Sequence, residues 1–393
     1  MGVITRTRAA ALAVLLGAAL VAGCSSQREP VGGAGGAGEG GCRNAAEAQA
    51  KYQQAWATAR TQLGIPELAA VSEQVCEVDT ARYAKPPKTG DGYRIAFAAQ
   101  GPTNSWGLTS EEAFKRHAAG IGVQTLYASA NGDAATQVDN ITQLASRDPD
   151  AMVVVPMGDS ITGQVQAAAA QGIPVVLCSG RLGAGSGAVS TVTRQYELLG
   201  GMYAEWLAQR LGGQGKVAML SGLAGVPTAE YQRTAAKKVF AKYPGITVVT
   251  EQYTQWSPTV AKTVAANLLT QYPDLNGIWS DSGYGDMGVV QAYRDAGKPV
   301  PPLTGDAVNG FLKAVQGTDT AFAVSSFPPE QSIQCLDTAM AVLKGQPVLD
   351  KIYIDSPSFT NSRLAEYVRP DCGDNLLVPS SLPREQLTEL KLC

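Results

Sequence analysis

From Tyr93 onward the chain alternates short apolar, β-branched runs with stretches of helical periodicity, and the series runs twice. The first pass reads "YRIAFAAQ", the helical "SEEAFKRHAAG", "VQTLYASA", the helical "DAATQVDNITQLASR", "AMVVVPM", a helix over 160–170, and "GIPVVLCSG". In its second helix Val138, Ile141 and Leu144 recur about one turn apart on one face. The pattern restarts at "GKVAMLSG" and continues through "ITVVTEQY", "NGIWSDS", "PPLTGDA" and "TAFAVSSFP", with helices between. Strand, helix, strand in this order predicts a parallel sheet with right-handed crossovers. The strands are apolar without alternation, as expected when helices cover both faces. The expected fold is therefore α/β, with two similar halves in tandem joined near Thr191. A further helix, "QSIQCLDTAMAVLKG", and a strand, "KIYIDSPSF", follow the second half. At 393 residues the chain has room for two to three domains.

The first 42 residues read differently. Arg6 and Arg8 precede the short apolar run Ala9–Gly23. A basic start before such a run predicts a signal peptide over 1–23; a spanning helix needs about 20 apolar residues. Leu20, Val21, Ala22, Gly23 and Cys24 resemble the bacterial lipobox. That resemblance implies that Cys24 is lipidated and becomes the first mature residue. Two acyl chains anchor stably where one is marginal. Residues 24–42, "CSSQREPVGGAGGAGEGGC", are then the lipidated cysteine and a Gly-rich flexible linker. The expected location is the extracytoplasmic face of the cell membrane. Residues 43–91 are expected as a helical extension, with helix from about Asn44 to Ala70 and a linker at "YAKPPKTGDG".

Six other cysteines, Cys42, Cys76, Cys178, Cys335, Cys372 and Cys393, permit three disulfides in an exported chain. Fifteen connectivities are open; Cys42 with Cys76 and Cys372 with Cys393 are the sequence-local choices. No cysteine spacing suits zinc, and no cofactor is expected. A net charge of −3 gives no nucleic-acid surface. His117 is the only histidine, which rules out two-histidine metal motifs; it is expected in a solvated or capping role. There is no G-x-S-x-G elbow and no phosphate loop, and "GAGSG" from Gly183 lacks dinucleotide-binding spacing. The chain is expected to bind rather than to catalyse.

Several stretches, in this order and spacing, resemble the ribose-binding-type substrate-binding proteins of bacterial ABC transporters. They are "TNSW", "GDAATQVDNITQLASRDPDAMVVVP", "QAAAAQGIPVV", "YQRTAAKKVFAKYPGITVV" and "DLNGIWSDSGYGDMGVVQAYRDAG". The resemblance implies a type I periplasmic binding protein: two Rossmann-like lobes, a hinge of three crossing strands, and a ligand cleft between the lobes. It places 92–191 and 327–360 in the first lobe, 192–326 in the second, and 361–393 in a C-terminal tail. It implies a monomer that closes on a small-molecule ligand and delivers it to an ABC permease; the alternative is a sensor that docks on a membrane receptor.

In open α/β sheets ligands bind beyond the carboxyl ends of the strands, so cleft candidates are polar or aromatic residues just after strands. They are Gln100, Asn104, Trp106 and Arg181 in the first half, and Tyr231, Asp281, Ser282 and Asp306 in the second. By resemblance Asn104, Trp106, Arg181 and Asp306 match the family's own positions. The chain departs from the ribose binders at Gly180, Tyr231, Ser282 and Ser326, which argues against ribose itself. An indole can cover a sugar's C–H face, a guanidinium can donate to ring oxygens, and a carboxylate can accept from adjacent hydroxyls. Two carboxylates and one Arg suit a neutral polyhydroxylated ligand, a monosaccharide or cyclitol, with a small cationic or zwitterionic molecule second.

Overall fold

A computed structural model describes residues 43–65, 73–87, 92–102 and 104–393. The expected signal peptide, Cys24, the Gly-rich linker and Cys42 lie outside the described residues.

Two six-stranded sheets carry the architecture. The first runs Lys351–Tyr353, Ser190–Thr193, Val175–Cys178, Ala151–Val154, Arg94–Ala99, Gln124–Ser129, all parallel. The second runs Ser358–Thr360, Phe322–Ser325, Leu303–Asp306, Gly277–Ser280, Gln214–Ser221, Gly245–Tyr253, parallel except for the antiparallel Ser358–Thr360. The continuous apolar runs are explained by two-sided burial. In Arg94–Ala99, Ile95 and Phe97 pack with Phe114 and Leu336 on one face. Ala96 and Ala98 pack with Ile141, Leu144 and Val165 on the other. The Cys178–Cys335 disulfide ties a central strand to the helix Gln331–Leu343 that covers it. Cys372 is joined to Cys393, one of the sequence-local choices, and Cys76 is disulfide-bonded as well.

The chain crosses between the sheets three times: at Arg194 and Gln195, at Ser326 and Phe327, and over residues 354–357. Residues 327–360, expected wholly in the first lobe, divide. Helix Gln331–Leu343 and strand Lys351–Tyr353 belong with the first sheet, whereas Ser358–Thr360 pairs with Phe322–Ser325 of the second. The single expected strand over 351–359 breaks before Pro357, which has no N–H to give a ladder. The break lets the chain change lobes.

The N-terminal helix spans Ala46–Leu63, shorter than the 44–70 expected, because Gly64 adopts the left-handed conformation (φ 67°) that closes a helix. Its Ala59 and Leu63, with Ile65 beyond it, pack with Leu199, Met202 and Tyr203 of the second lobe. Strand Cys76–Val78 pairs with Val348–Leu349, next to the first sheet's edge strand. The extension therefore straddles both lobes on the hinge side.

Candidate functional site

The carboxyl ends of both sheets face one cleft, with about 920 Å³ of empty space counting the part open to solvent. From the first lobe come Gln100, Asn104 and Trp106; from the second come Asp281, Ser282 and Asp306. Six of the eight residues expected from sequence thus meet on one cavity.

Local folding fixes each of them. Asn104 caps helix Ser105–Gly120, its Oδ1 accepting from Gly107 N at 3.1 Å. Trp106 stacks on Phe327 at 4.9 Å between ring centres and donates its indole N–H to the Phe327 carbonyl at 3.2 Å. Its ring is pinned to the second crossing while still lining the cleft. Ser282 caps helix Gly283–Asp295, accepting from Gly285 N at 3.1 Å. Asp306 ends strand Leu303–Asp306 and pairs with Arg194, Oδ1 to Nη1, at 3.0 Å.

Arg181 and Tyr231 do not line the cleft. The Arg181 guanidinium lies 3.9 Å above the Tyr231 ring. It also pairs with Glu197, and with Glu73 at 3.7 Å. This cluster links the first lobe, the second lobe and the N-terminal extension outside the cleft. Successive helical residues point about 100° apart, and it is Gln232, not Tyr231, that lines the cavity, with its Oε1 buried and unpartnered. A side chain at Gly180 would put its Cβ 2.8 Å from the Pro156 ring, so the departure there reflects a filled space. His117 pairs with Asp337 at the surface, 2.7 Å away, on helices that flank the first sheet.

Besides Gln232, three further cleft-lining residues escape the sequence reading. Arg194 sits at the first crossing, only 2% exposed, with its guanidinium carbon 4.4 Å above the Phe327 ring and with Nε and Nη2 unpartnered. The rule of looking just after strands does point to it, since it follows Ser190–Thr193 directly. Trp256 follows Gly245–Tyr253 and donates its indole N–H to Asp281 Oδ1 at 3.1 Å. Glu111 lies about two turns into the helix that Asn104 caps, bonded to Tyr127; no sequence signal separates it from its half-buried neighbour Glu112.

Trp256 is held in place by backbone. Gln255 and Trp256 both adopt left-handed conformations, φ 56° and 51°, which bulky residues rarely do. Backbone bonds fix the loop: Thr254 N to Ser221 O at 2.7 Å and Gln255 N to Gly222 O at 3.1 Å. The indole lies against Gly222, where a Cβ would fall 1.8 Å from the ring. Gly222→Ala is accordingly expected to expel the indole, changing tryptophan fluorescence and weakening ligand binding about tenfold, the size of one good aromatic contact. Fluorescence spectra and titration calorimetry on the variant check this.

The electrostatics are acidic around one cation. Burial pushes the Asp281 carboxyl up to about 7; the Gly222 N–H, 3.2 Å from Oδ2, restrains it and the Asp306 charge adds to it. Beneath the cleft, Asp286 is raised well above the usual carboxylate range by complete burial. Burial raises Asp306 too, while Arg194 pulls it back. Such a site presents acceptors on Asp281, Asp306 and Gln232, donors on Arg194, and apolar faces on two indoles. Among the described residues no cluster of His, Cys, Asp and Glu is arranged to hold a metal ion, and no helix is long and apolar enough to cross a membrane.

Comparison with known proteins fits this geometry. The model of the periplasmic binding protein domain family matches residues 95–347. A xylitol-binding protein of Mycolicibacterium smegmatis is 27% identical over 258 residues, 65% of this chain and 73% of the relative. The ribose import binding protein RbsB of Bacillus subtilis is 24% identical over 277 residues, 70% of this chain and 90% of that one. A solved ABC transporter solute-binding protein of Mycobacterium smegmatis, with bound glycerol, superposes with a TM-score of 0.65 at 24% identity, covering 73% of this chain and 99% of that one. The solved structure bears on the fold: two lobes of parallel sheet.

Proposed function

The chain belongs to the periplasmic binding protein domain family, a family of binding proteins rather than enzymes, and from that premise we propose that it captures a small uncharged polyol or sugar. The observation that carries this reading is the mixed polarity of the buried cleft. Arg194 offers unpaired donors and Gln232 an unpaired acceptor, beside the carboxylates of Asp281 and Asp306. Buried polar groups of this kind need partners. A molecule with many hydroxyls supplies donors and acceptors at once, and an analogue lacking one leaves a buried group unpaired. Among the described lining residues the one cation, Arg194, is already paired with Asp306, which leaves none for an anion. The xylitol- and ribose-binding relatives are consistent with the same class.

The mechanism follows from the three crossings. Ligand touching both lobes favours the shut arrangement by the difference in its affinity for the two states. In this reading the shut form delivers its cargo to an ABC permease, and the lipobox-like stretch ending at Cys24 tethers it to the membrane. Isothermal calorimetry of the purified protein against xylitol, ribose, allose and glycerol, with amino acids as controls, tests it. Micromolar or tighter binding of at least one polyol is expected; heat from amino acids alone would overturn the reading.

A further inference from the structure

The family match ends at residue 347, and the C-terminal segment 361–393 lies beyond it. This segment is not a loose end. Its residues 376–378 run antiparallel beside 307–309, the backbone that directly follows Asp306. Asn309 N donates to Leu376 O at 2.8 Å, Val378 N donates to Ala307 O at 2.9 Å, and Leu377 bridges to Val308. The pairing delivers the Leu377 side chain, 3% exposed, into the wall of the ligand cleft.

The two ends of the segment are held unequally. On the second lobe Leu376, Val378, Leu382, Leu387 and Leu392 are buried in the same core as Phe311 and Phe322. Asn309 reads the tail's backbone through both ends of its amide: Nδ2 to Arg369 O at 2.8 Å and to Gly373 O at 3.1 Å, and Oδ1 from Arg369 N at 2.8 Å. The Tyr284 hydroxyl donates to Asn375 O at 3.0 Å. The Cys372–Cys393 disulfide closes the segment into a loop.

The first lobe holds the tail less extensively: Ala113, with Trp106 and Ile333 packed beside it, reaches the same apolar cluster, and the rest of its hold is polar. Glu330 begins the helix Gln331–Leu343 that packs on the first sheet. Its Oε1 accepts from Ser380 Oγ at 2.7 Å, Ser381 N at 2.6 Å and Ser381 Oγ at 3.2 Å. Arg116, near the end of helix Ser105–Gly120, pairs with Glu389. A buried apolar face moves with the body it is packed on, whereas a handful of half-exposed polar bonds can break and reform.

We propose that residues 361–393 form a strap that is built into the second lobe, contributes Leu377 to the ligand site, and fastens to Glu330 and Arg116 of the first lobe, holding the cleft shut. Leu377 then limits the size of ligand that fits beside Asp306, and the strap's polar end resists opening before any ligand binds. The inference rests on the reading of the cleft as a ligand site between moving lobes, yet part of its test needs no ligand.

The test uses the full chain with Glu330→Ala and Glu389→Ala combined, which removes every polar bond named above to the first lobe and leaves the leucine core and the disulfide untouched. Small-angle scattering of the ligand-free protein should show a larger radius of gyration in this variant, at a melting temperature within a few degrees of wild type. With xylitol and ribose as probes, dissociation should be about tenfold faster. Leu377→Ala should shift the affinity ratio between five-carbon xylitol and six-carbon allose about tenfold toward the larger molecule. Superimposable scattering curves for variant and wild type overturn the strap, whatever binds. An unchanged xylitol-to-allose ratio in Leu377→Ala overturns its part in the site. Failure of the wild type to bind any polyol while the variant still opens would instead strike the proposed ligand class and leave the strap standing.

Discussion

Replacing Asp306 by Ala is expected to lower ligand affinity by about 100-fold or more and, in addition, to cost about 3–5 kcal/mol of stability. The two effects have separate causes. For the ligand, the loss is that of charge-assisted hydrogen bonds from hydroxyls, each contributing about 1.5–3 kcal/mol. For the fold, the loss is that of Arg194's counter-ion. Arg194 is 2% exposed, its Nη1 lies 3.0 Å from Asp306 Oδ1, and its remaining nitrogens have no protein partner. Without the carboxylate a guanidinium is left buried and uncompensated, the costly half of a broken ion pair. From sequence alone Asp306→Ala is expected to weaken binding strongly without unfolding the protein; the pair with Arg194 adds a stability cost to that expectation. Two further variants separate the roles. Asp306→Asn keeps the shape and one acceptor oxygen, so its stability loss should be smaller. Arg194→Leu combined with Asp306→Leu should recover much of the stability, because an apolar pair of similar size can replace a buried ion pair, while binding stays absent. Urea denaturation and calorimetry on wild type and the three variants separate the stability effect from the binding effect. Wild-type affinity in Asp306→Ala would remove Asp306 from the site.

The order of strands was legible because two-sided burial writes itself as unbroken apolar runs: "AMVVVP" and "NGIWS" need no partner sequence to be read as strands. The cleft was legible for the same reason, since strand ends mark it. Errors cluster where direction, rather than position, decides. Tyr231 and Gln232 are neighbours on one helix, and only the tertiary packing says which faces the cavity. Arg181 follows a strand as expected, but Ser179 turns through φ 65° just before it, and Arg181 is drawn instead to Tyr231, Glu197 and Glu73. The tail's leucines are spaced irregularly in the sequence. Their common face exists only once residues 376–378 pair with 307–309. Likewise no periodicity could reveal that the N-terminal helix straddles two lobes.

Asp281 makes the protein's stability depend on pH in the direction opposite to that of an ordinary salt-bridged carboxylate. An unfolded aspartate gives up its proton near pH 4, whereas in the fold Asp281 holds it up to about 7. Between those values the folded state carries a proton that the unfolded state has released, so stability falls as pH rises. The contribution is complete below about pH 4 and lost above about 7, on the order of 4 kcal/mol across that window. Asp286, raised by its own burial, acts in the same sense. Denaturant midpoints should therefore drop between pH 5 and pH 8, and Asp281→Asn should flatten much of that slope and stabilise the protein at pH 8. The cause can be tested through the neighbour. Desolvation is the largest influence on Asp281, but the charge of Asp306 also raises it. Asp306→Asn should then shift the transition to lower pH, coupling the two carboxylates in one experiment. A flat stability profile from pH 5 to 8 would mean that Asp281 is ionised in the fold, with a solvated cleft in place of the desolvated one described here.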